Sequence, residues 1–444
     1  MHDDLRRAVA DDFSHMKETL ADLVRIPSVS ATSYPAAEVR RSAEAVSSLF
    51  EEAGADRVQL LELEGAHPAV FGEAAGPPGT PTVLLYAHHD VQPPGPAEEW
   101  YTGPFEPFER DGRLYGRGSS DDKSGVIMHV GMLRAFGGKP PVGVKFFIEG
   151  EEEVGSSHLP DFLDKYADQL RADVIVIADA GTWRVGVPAI TTSLRGITAC
   201  TVEVRTLGSA VHSGQFGGAF PDAITTLCRL LATLHDEGGN VAVPGLVAYE
   251  SDPLDLTEDE VRQQAGAVTG LKSIGDGVWT SRMWSKPAIS VLAIDAPRIS
   301  EAINQLVPVA AAKVSMRLAP GQDGKAAEEA LRRHLEANVP WGAELRVRSD
   351  GYGDAYALAT DAPAFEAFRQ AMATVWDTAP VEIGSGGSIP FVAAFSAQMP
   401  DAPVILIGAG DPTSAFHGPN ESQHLGDLEK SILAEAMALR LLAG

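Results

Sequence analysis

The sequence predicts an α/β protein with a mostly parallel sheet and flanking helices, plus a second α+β domain inserted into it. Three observations predict this class. Apolar, β-branched runs alternate with helical patterns towards both ends of the chain, which is typical of a buried parallel sheet. The middle of the chain interleaves strands and helices in a different pattern. Finally, 444 residues exceed the roughly 250 to 300 at which a single core stops growing, so we expect two domains.

The parallel sheet is predicted from its apolar segments. Its clearest strands lie at residues 82–87, 142–148, 174–178 and 404–407. Each segment is rich in aliphatic side chains and has the length of a buried strand. Helical patterns predict the flanking helices at residues 13–24, after Gly125, and at 37–53 and 428–442. Together these elements predict a first domain formed by residues 1–193 and 352–444.

The middle of the chain predicts a separate α+β domain over residues 194–351. Its helices are expected at residues 221–234 and 326–337. Its strands are expected at residues 198–204, 288–293, 313–318 and 344–347. The Pro- and Gly-rich stretches elsewhere in the chain are too short to be linkers, so we interpret them as loops.

The composition limits the partners that this chain can have. Its formal net charge of −26 predicts repulsion from nucleic acid and from an anionic membrane surface. No apolar run approaches the roughly 20 residues that span a bilayer. The N-terminal residues lack the pattern of a secretion signal, and Cys200 and Cys228 give no disulfide framework. We therefore expect a cytoplasmic protein, for which small molecules and other copies of itself remain as partners.

Histidines and acidic residues follow the predicted strands, at the sheet edge where ligands bind in open α/β folds. Each has an ordinary alternative: a lone histidine is usually structural, a glutamate run is usually solvated, and paired aspartates often cap a helix. Their repeated occurrence at one edge favours a metal site. Nitrogen and oxygen ligands suit zinc, manganese or cobalt. The candidate segments are His88-His89-Asp90, Asp121-Asp122, Glu149-Gly150-Glu151-Glu152-Glu153, Asp179 and His417.

The segments around these residues resemble the motifs of the M20 metallopeptidases. They are His88-His89-Asp90-Val91-Gln92-Pro93, Gly116-Arg117-Gly118, Asp121-Asp122-Lys123, Glu152-Glu153-Val154-Gly155-Ser156 and His417. Within that family the chain looks most like the carnosinase and cytosolic nonspecific dipeptidase group, over nearly its whole length. Ser124 departs from the glycine usual at its position, and we expect only a local change in the turn. The resemblance implies a zinc-exopeptidase-like catalytic domain and an inserted lid and dimerisation domain.

The resemblance implies a centre of two divalent metal ions. His88 and Asp179 would bind one ion, Glu153 and His417 would bind the other, and Asp121 would bridge them. The charge count agrees, because three carboxylates and a bridging hydroxide balance two divalent cations. Zinc is our first expectation, with manganese and cobalt as alternatives. In the family the peptide bond after the bridging aspartate is cis, which implies a cis bond between Asp121 and Asp122.

The expected reaction is hydrolysis of a dipeptide or short peptide by a metal-bridging water. By the resemblance, Glu152 would be the general base that passes the proton of this water to the leaving amine. Asp90 would orient His88 through its second ring nitrogen. The alternative interpretation of Glu152 is an exposed charge without a catalytic role.

Other residues match family positions that contact the substrate. His212 would complete the active site of the partner subunit in a homodimer. Arg317 and the Gly-rich loop with Gly387 and Ser388 would bind the free carboxylate of the substrate. Gln305 stands where relatives often carry Asn or Thr to contact the substrate. Without the resemblance, His212 would be a loop histidine and Arg317 part of an ion pair.

Two rival functions stay open on the sequence. The same metal site would serve an amidase or deacylase acting on N-acyl amino acids. Substrate specificity depends on side chains of the inserted domain whose positions the sequence does not give. A peptide-binding protein that has lost its chemistry is the other rival. Such a protein should lack a ligand or the base, and this sequence keeps them all.

Overall fold

The computed structural model describes residues 3–386 and 390–444. The helices in chain order are α1 Asp3–Val24, α2 Ala36–Glu52, α3 Lys123–Ala135, α4 Leu159–Lys165, α5 Ala167–Leu170, α6 Ser213–Phe216, α7 Ala223–Ala232, α8 Glu258–Gln264, α9 Gly324–Asn338, α10 Pro363–Trp376, α11 Pro390–Gln398 and α12 Leu425–Leu442.

The strands are mostly short and are separated by loops or helices. In chain order they are β1 Arg57–Leu61, β2 Ala69–Ala74, β3 Thr82–His88, β4 Phe108–Arg110, β5 Arg113–Tyr115, β6 Gly143–Glu149, β7 Val174–Ile177, β8 Ala189–Leu194, β9 Gly196–Arg205, β10 Val211–His212, β11 Ala288–Asp295, β12 Gln305–Leu306, β13 Val309–Leu318, β14 Glu344–Gly353, β15 Tyr356–Ala357, β16 Val381–Ser385, β17 Val404–Leu406 and β18 Ser422–His424.

The described residues form two compact units. The first comprises the chain up to Thr192 together with Leu358–Ile383 and Pro390–Gly444. The second comprises Ser193–Ala357 and residues 384–386. None of the helices in these described ranges is long and apolar enough to cross a membrane.

The sheet of the first unit has the strand order β1-β2-β6-β3-β7-β17-β8. The neighbours β6, β3, β7 and β17 run parallel to one another. Antiparallel pairs extend the sheet on both sides, through β2 on β6 and β8 on β17. This arrangement confirms the predicted mostly parallel sheet. The parallel strands bring their carboxyl ends to one edge, where the polar segments follow them.

Helices cover both faces of this sheet because its strands are apolar on both faces. Val83 and Leu85 of β3 join the core cluster to which α1, α3 and α12 contribute. Tyr86 points to the other face and stacks on Phe391 of α11 at 4.3 Å between ring centroids. Helix α3 is buried along nearly its whole length, which fits a helix packed between α1, α12 and the sheet.

The second unit contains an antiparallel sheet of order β11-β13-β9-β14. Side chains of β9 alternate between buried and half-buried positions, as in a sheet with one face on the core. Helices α7 and α9 pack on that face. The edge strand β11 exposes Val291, Leu292 and Ile294.

Candidate metal centre

The carboxyl ends of the parallel strands carry the polar residues that the sequence singles out. His88 is the last residue of β3, and Asp179 lies two residues beyond the end of β7. Glu152 and Glu153 form a 3-10 turn shortly after β6. His417 stands in the loop after β17, and Asp121 in the turn before α3. The fold therefore brings these separate segments to one edge of the sheet.

The carboxylate of Asp121 lies between two histidines. Its Oδ1 is 3.1 Å from Nε2 of His88, and its Oδ2 is 3.1 Å from Nε2 of His417. The Asp121-Asp122 peptide bond is cis, as the sequence resemblance implied. The neighbouring Asp122 caps α3 by accepting the N–H of Gly125 on Oδ1, and its Oδ2 accepts the backbone N–H of His88 at 3.2 Å.

Two groups of potential ligand atoms overlap at His88. One atom each from His88, Glu152 and Asp179 lie within 4.8 Å of one another, and His88, Asp121 and Glu153 meet the same limit. In addition, Oε2 of Glu153 is 3.2 Å from Nε2 of His417. The adjacent glutamates thus face different neighbours, Glu152 towards Asp179 and Glu153 towards His417.

Asp90 is fully buried behind these residues and joins two of their segments. Its carboxylate lies 3.4 Å from Nδ1 of His88, whose Nε2 faces Asp121. The same carboxylate accepts the backbone N–H groups of Glu152 at 3.2 Å and Glu153 at 3.1 Å. Asp90 therefore holds both the ring of His88 and the turn that carries the glutamates.

The carboxylates are close enough to perturb one another. Burial raises the pKa of Glu152 to about 7, an effect that the charge of His88 opposes and that of Glu153 reinforces. Burial likewise raises the pKa of Asp179 well above its usual range. Although burial works in the same direction at Asp121, hydrogen bonding to His417 and His88 holds its pKa below the usual value. The ionised forms of Glu152 and Asp179, which burial disfavours, would be stabilised by bound cations.

Sequence reasoning missed several residues that orient the centre. Gln92 donates hydrogen bonds to both carboxylate oxygens of Glu153, and Ser30 donates to Asp90 at 2.6 Å. Arg117 and Glu421 form a buried ion pair below the Asp121 turn. Gln92 and Arg117 lie within the quoted motifs, which offered a signal. Ser30 and Glu421 could be assigned only from contacts between distant segments.

The second unit holds other predicted site residues. His212 on β10 is exposed and lies opposite Gln305 of β12 in the strand register. Arg317 lies on β13 and is half-buried, and burial lowers the pKa of its guanidinium. Gly387 and Ser388 fall outside the described residues.

Comparison with known proteins shows the family. Residues 84–440 match the model of peptidase family M20/M25/M40. The chain is 33% identical over 400 residues to a cysteinylglycine-S-conjugate dipeptidase of Corynebacterium striatum, covering 88% of this chain and 87% of that protein. It is 30% identical over 375 residues to the beta-Ala-His dipeptidase of Homo sapiens, covering 80% and 73% of the two chains.

A solved structure agrees with these relatives. Human carnosine dipeptidase 1 superimposes with a TM-score of 0.82 at 27% identity, over 99% of this chain and 98% of that chain. The fold agrees with the family model and with both relatives. The chain therefore belongs to peptidase family M20/M25/M40, in its group of dipeptidases.

Proposed function

We propose that this protein hydrolyses dipeptides or short peptides with two divalent metal ions and Glu152 as general base. The ligands we propose are His88 and Asp179 for one ion, Glu153 and His417 for the other, and Asp121 between them. The observation that carries the proposal is the placement of Asp121, whose two oxygens each lie 3.1 Å from a different histidine. A carboxylate in that position can bind one ion through each oxygen.

The donor set fits two divalent ions. It contains carboxylate oxygens and imidazole nitrogens, the ligands of zinc, manganese and cobalt sites, and we propose zinc. The raised pKa values of Glu152 and Asp179 reflect burial among like charges, which bound cations would offset. Asp90 supplies the outer support that a metal-bound histidine needs.

The proposed chemistry divides between the ions and the protein. Two bound ions would lower the pKa of a water molecule between them and polarise the scissile carbonyl. Glu152 is the proposed base because it lies close to His88 and Asp179 on one side of the centre. From that position it can accept a proton from the water and deliver it to the leaving amine.

We propose that residues 194–351 form a lid that binds substrate and makes a homodimer. His212 would contact the tetrahedral oxyanion in the site of the partner subunit. Arg317, with Gly387 and Ser388, would bind the free carboxylate, and Gln305 would contact the substrate. In support of a homodimer, β11 exposes apolar side chains at the side of its sheet, and a strand in that position can pair with a second copy. A cytoplasmic location remains a prediction.

The proposal is tested by removing and restoring metal while two substrate classes are compared. Chelation should abolish hydrolysis of dipeptides without changing the circular dichroism spectrum, because the sheet has its own core. Adding zinc, manganese or cobalt in separate samples should restore activity and identify the preferred ion. Full activity in a metal-free sample would exclude the metal mechanism. Faster hydrolysis of N-acetyl amino acids than of any dipeptide would favour the amidase alternative.

A further inference from the structure

A buried ion pair contacts the main chain of the turn that carries Asp121. Arg117 is 1% exposed and Glu421 is fully buried, and Nη1 of Arg117 donates to Oε2 of Glu421 at 2.6 Å. The guanidinium also lies 5.4 Å from the ring centroid of Trp100. Burying two charges is unfavourable unless other hydrogen bonds satisfy them, so the remaining contacts of each partner indicate what the pair does.

Glu421 binds the main chain of the Asp121 turn. Its Oε1 accepts the N–H groups of Ser120 at 2.9 Å and Asp121 at 3.0 Å, and its Oε2 accepts that of Gly118 at 3.0 Å. The side chain of Glu421 thus fixes the backbone from which the Asp121 carboxylate projects. A carboxylate that accepts several N–H groups is a strong anchor for a loop.

Arg117 binds the other loop of the centre. Its Nη2 donates to the main-chain oxygen of His417 at 3.0 Å and to that of Gly418 at 3.2 Å. One guanidinium therefore bridges Glu421 and the backbone of His417. Since Glu421 holds the Asp121 turn, the pair joins two loops that are distant in sequence and that carry neighbouring side chains of the centre.

His417 needs such support because packing does not hold it. Its side chain is 57% exposed, and its φ of +59° lies in the left-handed region, which is uncommon for a residue with a side chain. Its ring faces two carboxylates, those of Asp121 and Glu153. Without a fixed main chain, a mobile His417 would lose conformational entropy each time that it bound an ion.

We propose that Arg117 and Glu421 are positioning residues that set the affinity of the metal centre on its His417 side. They act through the backbone and touch neither substrate nor ion. This inference rests on the proposed function, since it takes Asp121, Glu153 and His417 as ligands. Its consequence is that the two ions should differ in their response to the pair: the ion near His417 should weaken most.

The test measures metal affinity of the metal-free protein by titration with Zn²⁺ against a competing chelator. Glu421→Gln and Arg117→Lys should each weaken one equivalent, the one that His417→Ala loses, by about 10- to 100-fold, the usual effect of losing an outer partner of a metal ligand. Excess Zn²⁺ should restore turnover in both variants. Glu435→Gln is the matched control, because Glu435 is also fully buried and lies 2.8 Å from His129 in the core. It should keep the parent affinity even if it lowers the melting temperature.

The outcomes separate this inference from the proposed function. Glu421→Gln and Arg117→Lys with parent affinity for both equivalents, beside a His417→Ala variant that loses one ion, would overturn the positioning role alone. Retention of both ions by His417→Ala would overturn the proposed ligand set. If neither pair variant folds while Glu435→Gln does, the pair holds the fold itself and the positioning role is wrong.

Discussion

Gln92 donates hydrogen bonds to both carboxylate oxygens of Glu153. Its backbone N–H reaches Oε1 at 3.1 Å, and its side-chain amide reaches Oε2 at 2.8 Å. Gln92→Met keeps the backbone bond and the side-chain length but frees one oxygen of the ligand. We expect it to weaken metal binding on the Glu153 side by about tenfold, as loss of an outer partner does. Calorimetric titration of the metal-free protein with Zn²⁺ measures this change.

Gln59→Met is the control for this prediction. Gln59 also donates its side-chain amide to one partner, Gln169, and it lies on the strand β1 outside the candidate centre. Its variant should bind Zn²⁺ as the parent does. Equal affinities of Gln92→Met and the parent would show that Gln92 does not orient the ligand.

Glu152 and Glu153 are chemically identical neighbours for which we predict different roles. Glu152→Gln cannot accept a proton, so it should keep two ions and lose on the order of 10² to 10⁴ in rate. Glu153→Gln should instead lose the ion shared with His417. Metal analysis of the two purified variants, together with turnover rates, decides between them. If Glu152→Gln is the variant short of metal, the assignment is displaced by one residue.

His212 is predicted to act in the active site of the partner subunit. His212→Ala and Glu152→Gln should each lose most of their activity as homodimers. After the two are mixed and subunits exchange, some heterodimers would contain one intact site, so part of the activity should return. Exchange is verified with differently tagged chains. Verified exchange without recovered activity would contradict action across the interface.

Arg317 is predicted to recognise the free carboxylate of the substrate. Arg317→Ala should reduce kcat/KM on free dipeptides much more than on their C-terminal amides, because an amide has no carboxylate charge to lose. The comparison uses one dipeptide sequence in both forms, and Arg317→Lys keeps the charge without the fork. An equal loss on both substrate forms would make Arg317 a structural residue.

Glu149 is predicted to make stability depend on pH. Burial raises its pKa to about 8, from 4.5 in an exposed position, and Tyr86 donates to it at 2.7 Å. Between these values the unfolded chain releases a proton that the folded protein keeps, so this group stabilises the fold at low pH and loses that effect as pH rises. The slope is about 1.4 kcal/mol per pH unit.

Glu149→Gln removes this dependence. Relative to the metal-free parent, the variant should therefore gain stability as the pH rises from about 5 to about 8. Urea unfolding of both metal-free proteins across this range measures the difference. A difference in unfolding free energy that stays constant with pH would show that Glu149 does not titrate in this way.

The predicted elements agree with the structure where the sequence signal is strong. The runs at 82–87 and 174–178 correspond to β3 and β7, because uninterrupted apolar side chains leave no polar face for solvent. By contrast, β1 and β2 were not predicted. Strand β1 is mostly half-exposed, and the apolar run of β2 is interrupted by Gly72 and Glu73, so neither carries a clear pattern. Their antiparallel pairing also depends on partners that are distant in sequence.

The residues of the candidate site also differ in how strong a sequence signal they carry. The positions of His88 and Asp179 at the sheet edge could be predicted because each residue stands at or just beyond the carboxyl end of an apolar strand. The position of Glu421 could not be predicted, since its polar segment is typical of a solvated loop. In the structure Glu421 is fully buried against Arg117. Ser30 likewise reaches Asp90 from another part of the chain. Contacts of this kind are set by tertiary packing and leave no local pattern.

The first unit is assembled from segments that precede and follow most of the second unit in the sequence, and this order affects how it folds during synthesis. Helix α12 packs on α1 and α3, so the core of the first unit cannot close until residues 425–442 have left the ribosome. Most of the second unit is one continuous stretch, Ser193–Ala357, and can fold while translation continues at roughly 5 to 20 residues per second. His417 emerges after every other proposed ligand. The proposed ligand set therefore cannot assemble before the segment that carries His417 has left the ribosome.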